Sequence, residues 1–342
     1  MSSTMNIAIA VNKAYLKYAA VMLTSLCTQQ SENLNVYVLH HDLSPEDQSV
    51  LSSLPEKYQI TIEYIFVPDH LLPPKKVLRA NSWGIETYFR LLLVDLLPAA
   101  LDRALYIDID MIINKSLTDF YYCDLGDKKL AACRDFTGTP PYNDYRQELF
   151  ADILAVSPDF LYFNAGITLF HLNALRPAYN FAYYMDIAKQ LDYKIQFPDQ
   201  DLLNYCHWNE TLFFNENKYN LYARRAYTDL GLTLQNVKDT VHVIHYATSK
   251  PWSDNCLHCD IEQLWWDYAK LTPFYNEFLE QMVYETVNST EVLQYVTTLQ
   301  QENEQLYQII SQYDARLQKK ESIFNLRLQH FFQQVNNNFC SA

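Results

Sequence analysis

Residues 104–113 read ALYIDIDMII, an apolar run that only Asp108 and Asp110 interrupt. Side chains two residues apart on an extended strand point to the same side, so both carboxylates can aim at one point where the strand leaves the sheet. Two converging like charges need compensation, and a divalent cation with a phosphate-bearing ligand is a usual solution for oxygen ligands. The alternative is a strand that ends in a solvated acidic loop. The run therefore predicts either a metal site or an acidic loop.

Three segments before this strand also have the pattern of buried or half-buried strands. They cover residues 6–11, 34–39 and 60–65, and helical segments separate them. One of these helices begins at Ser44, a capping residue that a proline follows. Strands that alternate with helices form βαβ units, which predicts an α/β fold with a mostly parallel sheet. Ligands of such sheets bind beyond the carboxyl ends of the strands, which is where the two aspartates lie.

Composition narrows the classes of function. The 342 residues carry a formal net charge of -14, and 49% of them are hydrophobic. This charge repels phosphate backbones, so it argues against general nucleic-acid binding, and any nucleotide would be held locally with the help of a metal. No stretch approaches the roughly 20 apolar residues of a membrane span, and the N-terminus lacks the pattern of a secretory signal. We therefore expect a cytoplasmic protein.

The cysteines are seven in number and scattered, which indicates reduced thiols rather than a disulfide framework. Cys256 and Cys259 enclose a short segment with His258 and resemble half of a zinc site. No second Cys/His pair stands at a matching spacing. The sequence therefore leaves the role of this pair open.

Single polar residues interrupt other apolar patterns. Arg90 lies inside a predicted helix over 85–97, where a core-facing guanidinium either reaches solvent or meets an anion such as a diphosphate. Asn164 lies at an Asn-Ala-Gly break in a predicted strand over 160–170. Arg134 and Asp135 open an irregular segment that runs to residue 158 and is compatible with either an active-site loop or a plain surface loop.

Two more groups of polar residues lie at the ends of predicted elements. Asp199 and Gln200 stand in the first turn of a predicted helix, where capping alone explains Asp199 but explains Gln200 less well. His245 ends a short predicted strand, and such an imidazole is either a metal ligand or a hydrogen-bonded or surface side chain. Lys250 follows in a Lys-Pro-Trp sequence and is placed to serve a phosphate.

The tail from residue 274 to residue 342 contains neither glycine nor proline, which indicates a separate helical region. Its apolar residues follow a 3–4 spacing that predicts a heptad seam, with a polar Asn303 at an a-type position that fixes register in paired helices. The seam comprises Val296, Leu299, Asn303, Leu306, Ile310, Tyr313, Leu317, Lys320 and Phe324. It predicts a homodimer or a partner helix, or else a helix packed on its own domain. Basic residues between 316 and 327, with phenylalanines nearby, also predict weak contact with a membrane surface.

Five blocks in order resemble the family 8 glycosyltransferases, the retaining enzymes that include bacterial lipooligosaccharide galactosyl- and glucosyltransferases and glycogenin. The likeness covers about residues 6–271. The blocks are Glu86-Thr87-Tyr88-Phe89-Arg90-Leu91, Leu105-Tyr106-Ile107-Asp108-Ile109-Asp110, Phe163-Asn164-Ala165-Gly166, Asp199-Gln200-Asp201-Leu202-Leu203-Asn204, and His245-Tyr246 with Lys250-Pro251-Trp252. The resemblance implies a Rossmann-like domain of the GT-A type over residues 5–272, with a helical C-terminal extension over 273–342.

The resemblance also implies a set of ligands and site residues. In the family, an Asp-x-Asp pair and the histidine of the last block bind a manganese ion that bridges the diphosphate of a UDP-sugar. By this likeness Asp108, Asp110 and His245 are the metal ligands, with Mg²⁺ as the other candidate ion, and Lys250 contacts phosphate. The residues implied to surround the donor sugar are Arg90, Asp135, Asn164, Asp199 and Gln200.

Catalytic roles follow from the same likeness. Gln200 is the candidate to present its amide oxygen to the oxocarbenium-like carbon, and Asp135 or Asp199 to orient sugar hydroxyls. Electrostatic stabilisation of the departing UDP is expected to be the main catalytic effect. Two positions depart from the family pattern. Asn12 stands where the family usually has an aspartate that contacts uracil or ribose, and no glycine lies between His245 and Lys250.

We thus predict a metal-dependent retaining glycosyltransferase that moves galactose or glucose from a UDP-sugar to a glycan acceptor. The predicted acceptor is a lipopolysaccharide or lipooligosaccharide precursor, or a protein-linked sugar. The predicted location is cytoplasmic, with or without contact at the inner face of the cell membrane. The alternative is a non-catalytic sugar-nucleotide-binding or scaffold protein on the same fold, which works through its helical tail.

Overall fold

The computed structural model describes residues 4–51, 53–73, 84–136, 143–253 and 255–339. These residues belong to two units, which divide between Phe278 and Leu279. The division lies six residues beyond the end of the domain expected from the resemblance, and the assignment of the two regions as domains stays a prediction.

Ten strands are present in the described residues. They are β1 Thr4–Ala10, β2 Asn33–His40, β3 Ile60–Phe66, β4 Arg103–Ile107, β5 Met111–Ile113, β6 Leu130–Arg134, β7 Phe163–His171, β8 Thr211–Phe214, β9 Leu221–Tyr222 and β10 Val243–His245. Seven of them form one sheet in the order β3-β2-β1-β4-β7-β6-β8, and three form a small sheet in the order β5-β10-β9.

Helices connect the strands. The α-helices are α1 Leu16–Gln29, α2 Pro45–Gln48, α3 Ser53–Lys57, α4 Leu93–Leu96, α5 Thr118–Tyr121, α6 Asp144–Leu149, α7 Ala151–Val156, α8 Leu172–Leu175, α9 Phe181–Gln190, α10 Pro198–His207, α11 Glu216–Tyr219, α12 Ala223–Thr228, α13 Leu234–Thr240, α14 Gln263–Ala269, α15 Tyr275–Val287 and α16 Thr290–Phe339. Short 3-10 helices cover Lys13–Tyr15, Ser49–Leu51, Asp69–Leu71, Ile85–Leu92 and Asp260–Glu262.

The large sheet confirms the predicted α/β class. Strands β3, β2, β1 and β4 are mutually parallel, β7 is antiparallel to both of its neighbours, and β6 pairs in parallel with β8. Strand β4 belongs to the large sheet and β5 to the small one. The chain passes from one sheet to the other through Asp108, Ile109 and Asp110, so the two carboxylates lie where the sheets diverge.

Apolar side chains cover both faces of the large sheet. On β1, Ile7 and Ile9 face a layer that includes α1, while Ala8 and Ala10 face a layer that includes the 3-10 helix Ile85–Leu92. This alternation is the two-residue period of a strand that is buried on both sides. A third cluster, with Trp265 at its centre, packs beneath the small sheet.

Two local expectations were wrong. The helix expected over 85–97 is a 3-10 helix over Ile85–Leu92 that continues as α4, and all five side chains from Tyr88 to Leu92 are buried. The segment expected to be irregular up to residue 158 contains α6 and α7, and residues 137–142 lie outside the described ranges.

The second unit consists mainly of α16, which runs for 50 residues. Its side chains from residue 293 to residue 333 are exposed. None of the described helices combines the length and the apolar character that a membrane crossing requires.

Asn204 attaches α10 to β7. Its Oδ1 accepts a hydrogen bond from the Phe163 nitrogen at 2.8 Å, and its Nδ2 donates to the Phe163 and Gln200 oxygens, both at 2.8 Å. The side chain is fully buried. It therefore satisfies buried backbone groups that water cannot reach.

We predict that Asn204→Leu destabilises the first unit. The loss of a partner for a buried backbone group costs about 1–3 kcal/mol, so the free energy of unfolding in urea should fall by at least that amount. The matched control is Asn209→Leu, whose exposed position should change stability by no more than about 0.5 kcal/mol. Equal unfolding free energies for the two variants would show that this contact does not hold the helix.

Candidate active site

Asp108 and Asp110 follow the carboxyl end of β4, as the sequence predicted. The Asp108 nitrogen donates to the Gly166 oxygen at 2.7 Å, which ties the residue after β4 to strand β7. Both carboxylates are largely buried, with side-chain exposures of 26% and 19%. Each therefore needs its own counter-charge.

Arg90 supplies the charge beside Asp108. Its Nη2 is 2.8 Å from Asp108 Oδ1, its Nε is 2.9 Å from Asp199 Oδ2, and its Nη1 donates to the Ala165 oxygen at 2.5 Å. The guanidinium lies over the Tyr106 ring, 4.3 Å from its centroid, and is almost fully buried. The arginine thus bridges two carboxylates rather than reaching solvent. Its contact with a substrate stays a prediction.

Burial and charge act in opposite directions on these carboxylates. Burial raises the pKa of Asp199 to about 6, although Arg90 opposes the rise. Burial also raises the pKa of Asp108, again against Arg90. For Asp110, burial alone would raise the pKa, but Lys250 and His245 hold it well below its usual range.

Asp110 contacts two residues of the last sequence block. Lys250 Nζ forms an ion pair with Asp110 Oδ2, and it also donates to the Tyr246 oxygen at 2.7 Å. His245 Nε2 lies 3.3 Å from Asp110 Oδ1. The ammonium group of Lys250 therefore stabilises the loop between His245 and Lys250, which contains no glycine.

One group of side chains in the described part of the chain could hold a metal ion. It consists of Asp108, Asp110 and His245, each of which offers one ligand atom within 4.8 Å of the others. Two carboxylates and one imidazole suit a hard or borderline divalent cation such as Mn²⁺. His245 Nδ1 is 2.9 Å from Asn220 Oδ1, which can only accept. Nδ1 therefore donates to Asn220, and Nε2, which faces Asp110, is the ring nitrogen that would bind a metal.

A network of side-chain amides leads from this imidazole towards α10. Asn220 Nδ2 donates to Asn164 Oδ1 at 2.9 Å, and Asn164 Nδ2 donates to Gln200 Oε1 at 3.0 Å. Asn164 Nδ2 also donates to the Tyr222 hydroxyl at 2.8 Å. The network connects β7, α10 and the small sheet, so a movement of one member is transmitted to the others.

Gln200 has all of its hydrogen-bonding capacity in use. Its Oε1 accepts from Asn164 and also from the Ala165 nitrogen at 2.9 Å, and its Nε2 donates to Asp135 Oδ2 at 3.0 Å and to the Tyr162 hydroxyl at 3.1 Å. The amide oxygen has two lone pairs and two donors. An approach to a sugar carbon would require one of these donors to release it.

Asn12 lies slightly apart from this network. It follows β1, the parallel neighbour of β4, so it stands at the same edge of the sheet as Asp108. Its Oδ1 accepts from the Tyr15 nitrogen at 3.2 Å and caps a 3-10 helix. Burial raises the pKa of the neighbouring Glu86, which a hydrogen bond from Asn12 partly offsets. A contact between Asn12 and a nucleotide stays a prediction.

The structure thus brings Arg90, Asp108, Asp110, Asp135, Asn164, Asp199, Gln200, His245 and Lys250 into one connected site. Two members escaped the sequence interpretation. Asn220 precedes β9 and Tyr222 is its last residue, and this strand of two residues is too short for a periodic pattern. The sequence offers no signal for either residue, because their role depends on the pairing of β9 with β10.

Comparisons with known proteins agree on one family. A family model described as "Glycosyl transferase family 8" matches residues 6–256. A putative glycosyltransferase of Haemophilus influenzae is 26% identical over 292 residues, which cover 80% of this chain and 85% of that protein. A lipopolysaccharide 1,2-glucosyltransferase of Escherichia coli is 26% identical over 285 residues, covering 80% and 77%.

Among solved structures, the galactosyltransferase LgtC in complex with donor and acceptor sugar analogues has a TM-score of 0.66. It is 24% identical, and the match covers 79% of this chain and 96% of that one. This likeness supports the GT-A type of fold.

Gly166 leaves space for the site, and we predict that Gly166→Ala disrupts it. An added Cβ would lie 2.8 Å from Asp108 Oδ2 and 2.9 Å from Asn164 Oδ1, closer than real Cβ contacts. The carboxylate and the amide must then move, so the free energy of Mn²⁺ binding, measured by calorimetry, should become less favourable. This loss should exceed the loss in the free energy of unfolding.

Gly126→Ala is the contrasting control. Its added Cβ meets nothing within 4 Å, but its φ of +54° is strained for alanine. This control should lose about 1 kcal/mol of stability and keep its metal affinity. Unchanged Mn²⁺ binding by the Gly166 variant would contradict the prediction.

Proposed function

Since this chain belongs to glycosyl transferase family 8, we propose that it is a metal-dependent, retaining enzyme that transfers galactose or glucose from a UDP-sugar to a glycan acceptor. The observation that carries the proposal is the cluster of Asp108, Asp110 and His245 at the carboxyl edge of the large sheet, within 4.8 Å. A diphosphate brings negative charge to this edge. Lys250 stands beside the cluster as the cation that can meet it.

The acceptor class is proposed from relatives. The Escherichia coli relative is named a lipopolysaccharide 1,2-glucosyltransferase, and we assign an acceptor of the same chemical class, a lipopolysaccharide or lipooligosaccharide precursor. A protein-linked sugar is the other candidate. Precursors of this class carry acyl chains, so contact of the basic segment 316–327 with an anionic membrane surface is part of the proposal.

The ligands of the proposed cation are Asp108, Asp110 and His245, with Mn²⁺ as the first candidate and Mg²⁺ as the second. A divalent ion at this point supplies Lewis-acid neutralisation of the charge on a departing diphosphate. Arg90 opposes the rise that burial causes in the pKa of Asp108, and it orients this carboxylate through direct contact. Lys250 leaves Asp110 for the phosphate when a donor binds.

The donor sugar is proposed to lie against the network of amides. Asp199, held by Arg90 at 2.9 Å, and Asp135, which accepts from Gln200 at 3.0 Å, are placed to orient sugar hydroxyls. Gln200 fixes the position of Asp135 through its Nε2. Its Oε1 becomes available to a positively charged sugar carbon only if the Asn164 or Ala165 donor turns away.

We predict that Asp110→Asn abolishes metal-dependent binding of UDP. An amide neither balances Lys250 nor binds a cation as a carboxylate does. Changes to residues that only orient a metal ligand lower metal affinity by up to about 100-fold. The loss of a ligand itself should therefore lower the affinity for Mn²⁺, with UDP present, by at least about that factor. Calorimetric titration measures this change, and a chelator should abolish turnover of UDP-galactose or UDP-glucose by the unaltered enzyme, with recovery on adding Mn²⁺.

The exposed Asp127→Asn is the matched control and should behave as the unaltered chain. Turnover that persists in both Asp108→Asn and Asp110→Asn would refute the proposed metal site. UDP binding without turnover of any UDP-sugar would favour the non-catalytic, scaffold function instead.

Asn220 provides a second prediction about the same site. Asn220→Leu removes the acceptor that holds the proton on His245 Nδ1, so Mn²⁺ affinity should fall by roughly 10- to 100-fold. Asn220→Asp keeps the acceptor for His245 Nδ1 but loses the donor to Asn164 Oδ1, so it should lose less affinity than the leucine variant. Titration of both variants with Mn²⁺ checks this. Equal urea midpoints for the two variants would show that any difference in affinity does not come from a difference in stability. Equal affinities for the leucine and aspartate variants would show that Asn220 does not orient the imidazole.

A further inference from the structure

The apolar seam of α16 is exposed along the helix. Leu306, Ile310, Tyr313 and Leu317 have exposed fractions of 56%, 54%, 61% and 62%, and Val296 and Leu299 are also exposed. A helix of this length gains most of its stability from packing of its apolar face rather than from intrinsic propensity. A contiguous apolar stripe on a surface marks an interaction site.

The residue types along the seam select a particular partner. The a positions of the heptads hold Val296, Asn303, Ile310 and Leu317, and the d positions hold Leu299, Leu306 and Tyr313, so β-branched residues at a and leucine at d predominate in the first two heptads. β-branched residues at a with leucine at d favour two parallel strands over trimers or tetramers. The partner that offers the same pattern in the same register is a second copy of this chain.

Asn303 favours parallel over antiparallel pairing of the two helices. In a parallel, in-register pair it faces the same residue of the other copy, so the two amides can hydrogen-bond each other. In an antiparallel pair an a residue packs against d residues, and every d position from Leu299 to Tyr313 is apolar or aromatic. The amide would then be buried without a partner, which is costly.

Charges beside the seam agree with the parallel arrangement. Arg316 occupies a g position and Glu321 the e position five residues later, which is the spacing that pairs opposite charges between parallel helices. Lys320 and Arg327 occupy the next two d positions, where like charges would meet across the pair. The apolar pattern therefore ends at Leu317, after about three heptads or roughly 32 Å of helix, and the Arg316–Glu321 pair flanks this C-terminal end.

We propose that α16 pairs with α16 of a second copy as a parallel, in-register, two-stranded coiled coil over Val296–Leu317. The inference is independent of the proposed chemistry, because none of the seam residues belongs to the candidate active site. A homodimer carries two transfer sites on one particle, which raises avidity for clustered acceptors.

The mass of the full chain in solution tests the pairing. Light scattering at micromolar concentration should give twice the 40.2 kDa of one chain. Ile310→Asp places a charge in the seam of both copies and should weaken dimerisation by at least about 100-fold. Gln308→Asp adds the same charge outside the seam and should stay dimeric. The urea midpoint of the first unit should not change in either variant.

The charge pair tests orientation. Arg316→Glu and Glu321→Arg should each weaken the dimer roughly fivefold, and the double exchange should restore it, because the pair is re-formed with opposite signs. Weakening without restoration would overturn the parallel arrangement. A monomeric mass for the unaltered chain, or a higher oligomer, would overturn the proposal. If the unaltered chain is monomeric and floats with anionic vesicles, the proposal is overturned and the apolar seam binds lipid instead of a second copy.

Discussion

The convergence of Asp108 and Asp110 is the constraint on which the rest of the candidate site depends. Two carboxylates two residues apart, both largely buried, cannot remain ionised without counter-charges. The chain supplies Arg90 to the first and Lys250 to the second. These cations come from segments far apart in the chain, so the ion pairs bring together the 3-10 helix before β4 and the loop after β10.

The two cations differ in chemical character, and the difference fits the proposed function. Arg90 is buried and shared between Asp108 and Asp199 by a planar fork, which makes it a fixed part of the scaffold. Lys250 is a flexible point charge that is one-quarter exposed. Asp108 is thus held by a fixed partner, whereas in the proposed function Lys250 would leave Asp110 to a metal ion and pair with a diphosphate instead.

Much of the fold followed from local pattern. Strands β1, β2 and β3 were predicted within one or two residues, because burial on both faces produces apolar runs of the right length. The run 104–113 was expected to be one strand, but it is divided between β4 and β5 with the two aspartates in the turn between them. Ser44 caps α2, as predicted, and the structure adds the reciprocal contact with Asp47 that completes a capping box. The pitch of Ile85–Leu92 and the helices α6 and α7 were not predicted, since tertiary packing overrides propensity in short segments.

The sequence by itself determined which residues carry the candidate chemistry: the paired aspartates, His245, Lys250, Asn164 and Gln200 all stand out as polar residues at the ends or breaks of apolar segments. Only the tertiary structure decided their partners. Asn220 joins the site through β9, a strand of two residues, and Gln200 has both lone pairs of its amide oxygen occupied by donors from β7. Hydrogen-bond partners far apart in the chain depend on strand order and register, which a local pattern does not encode.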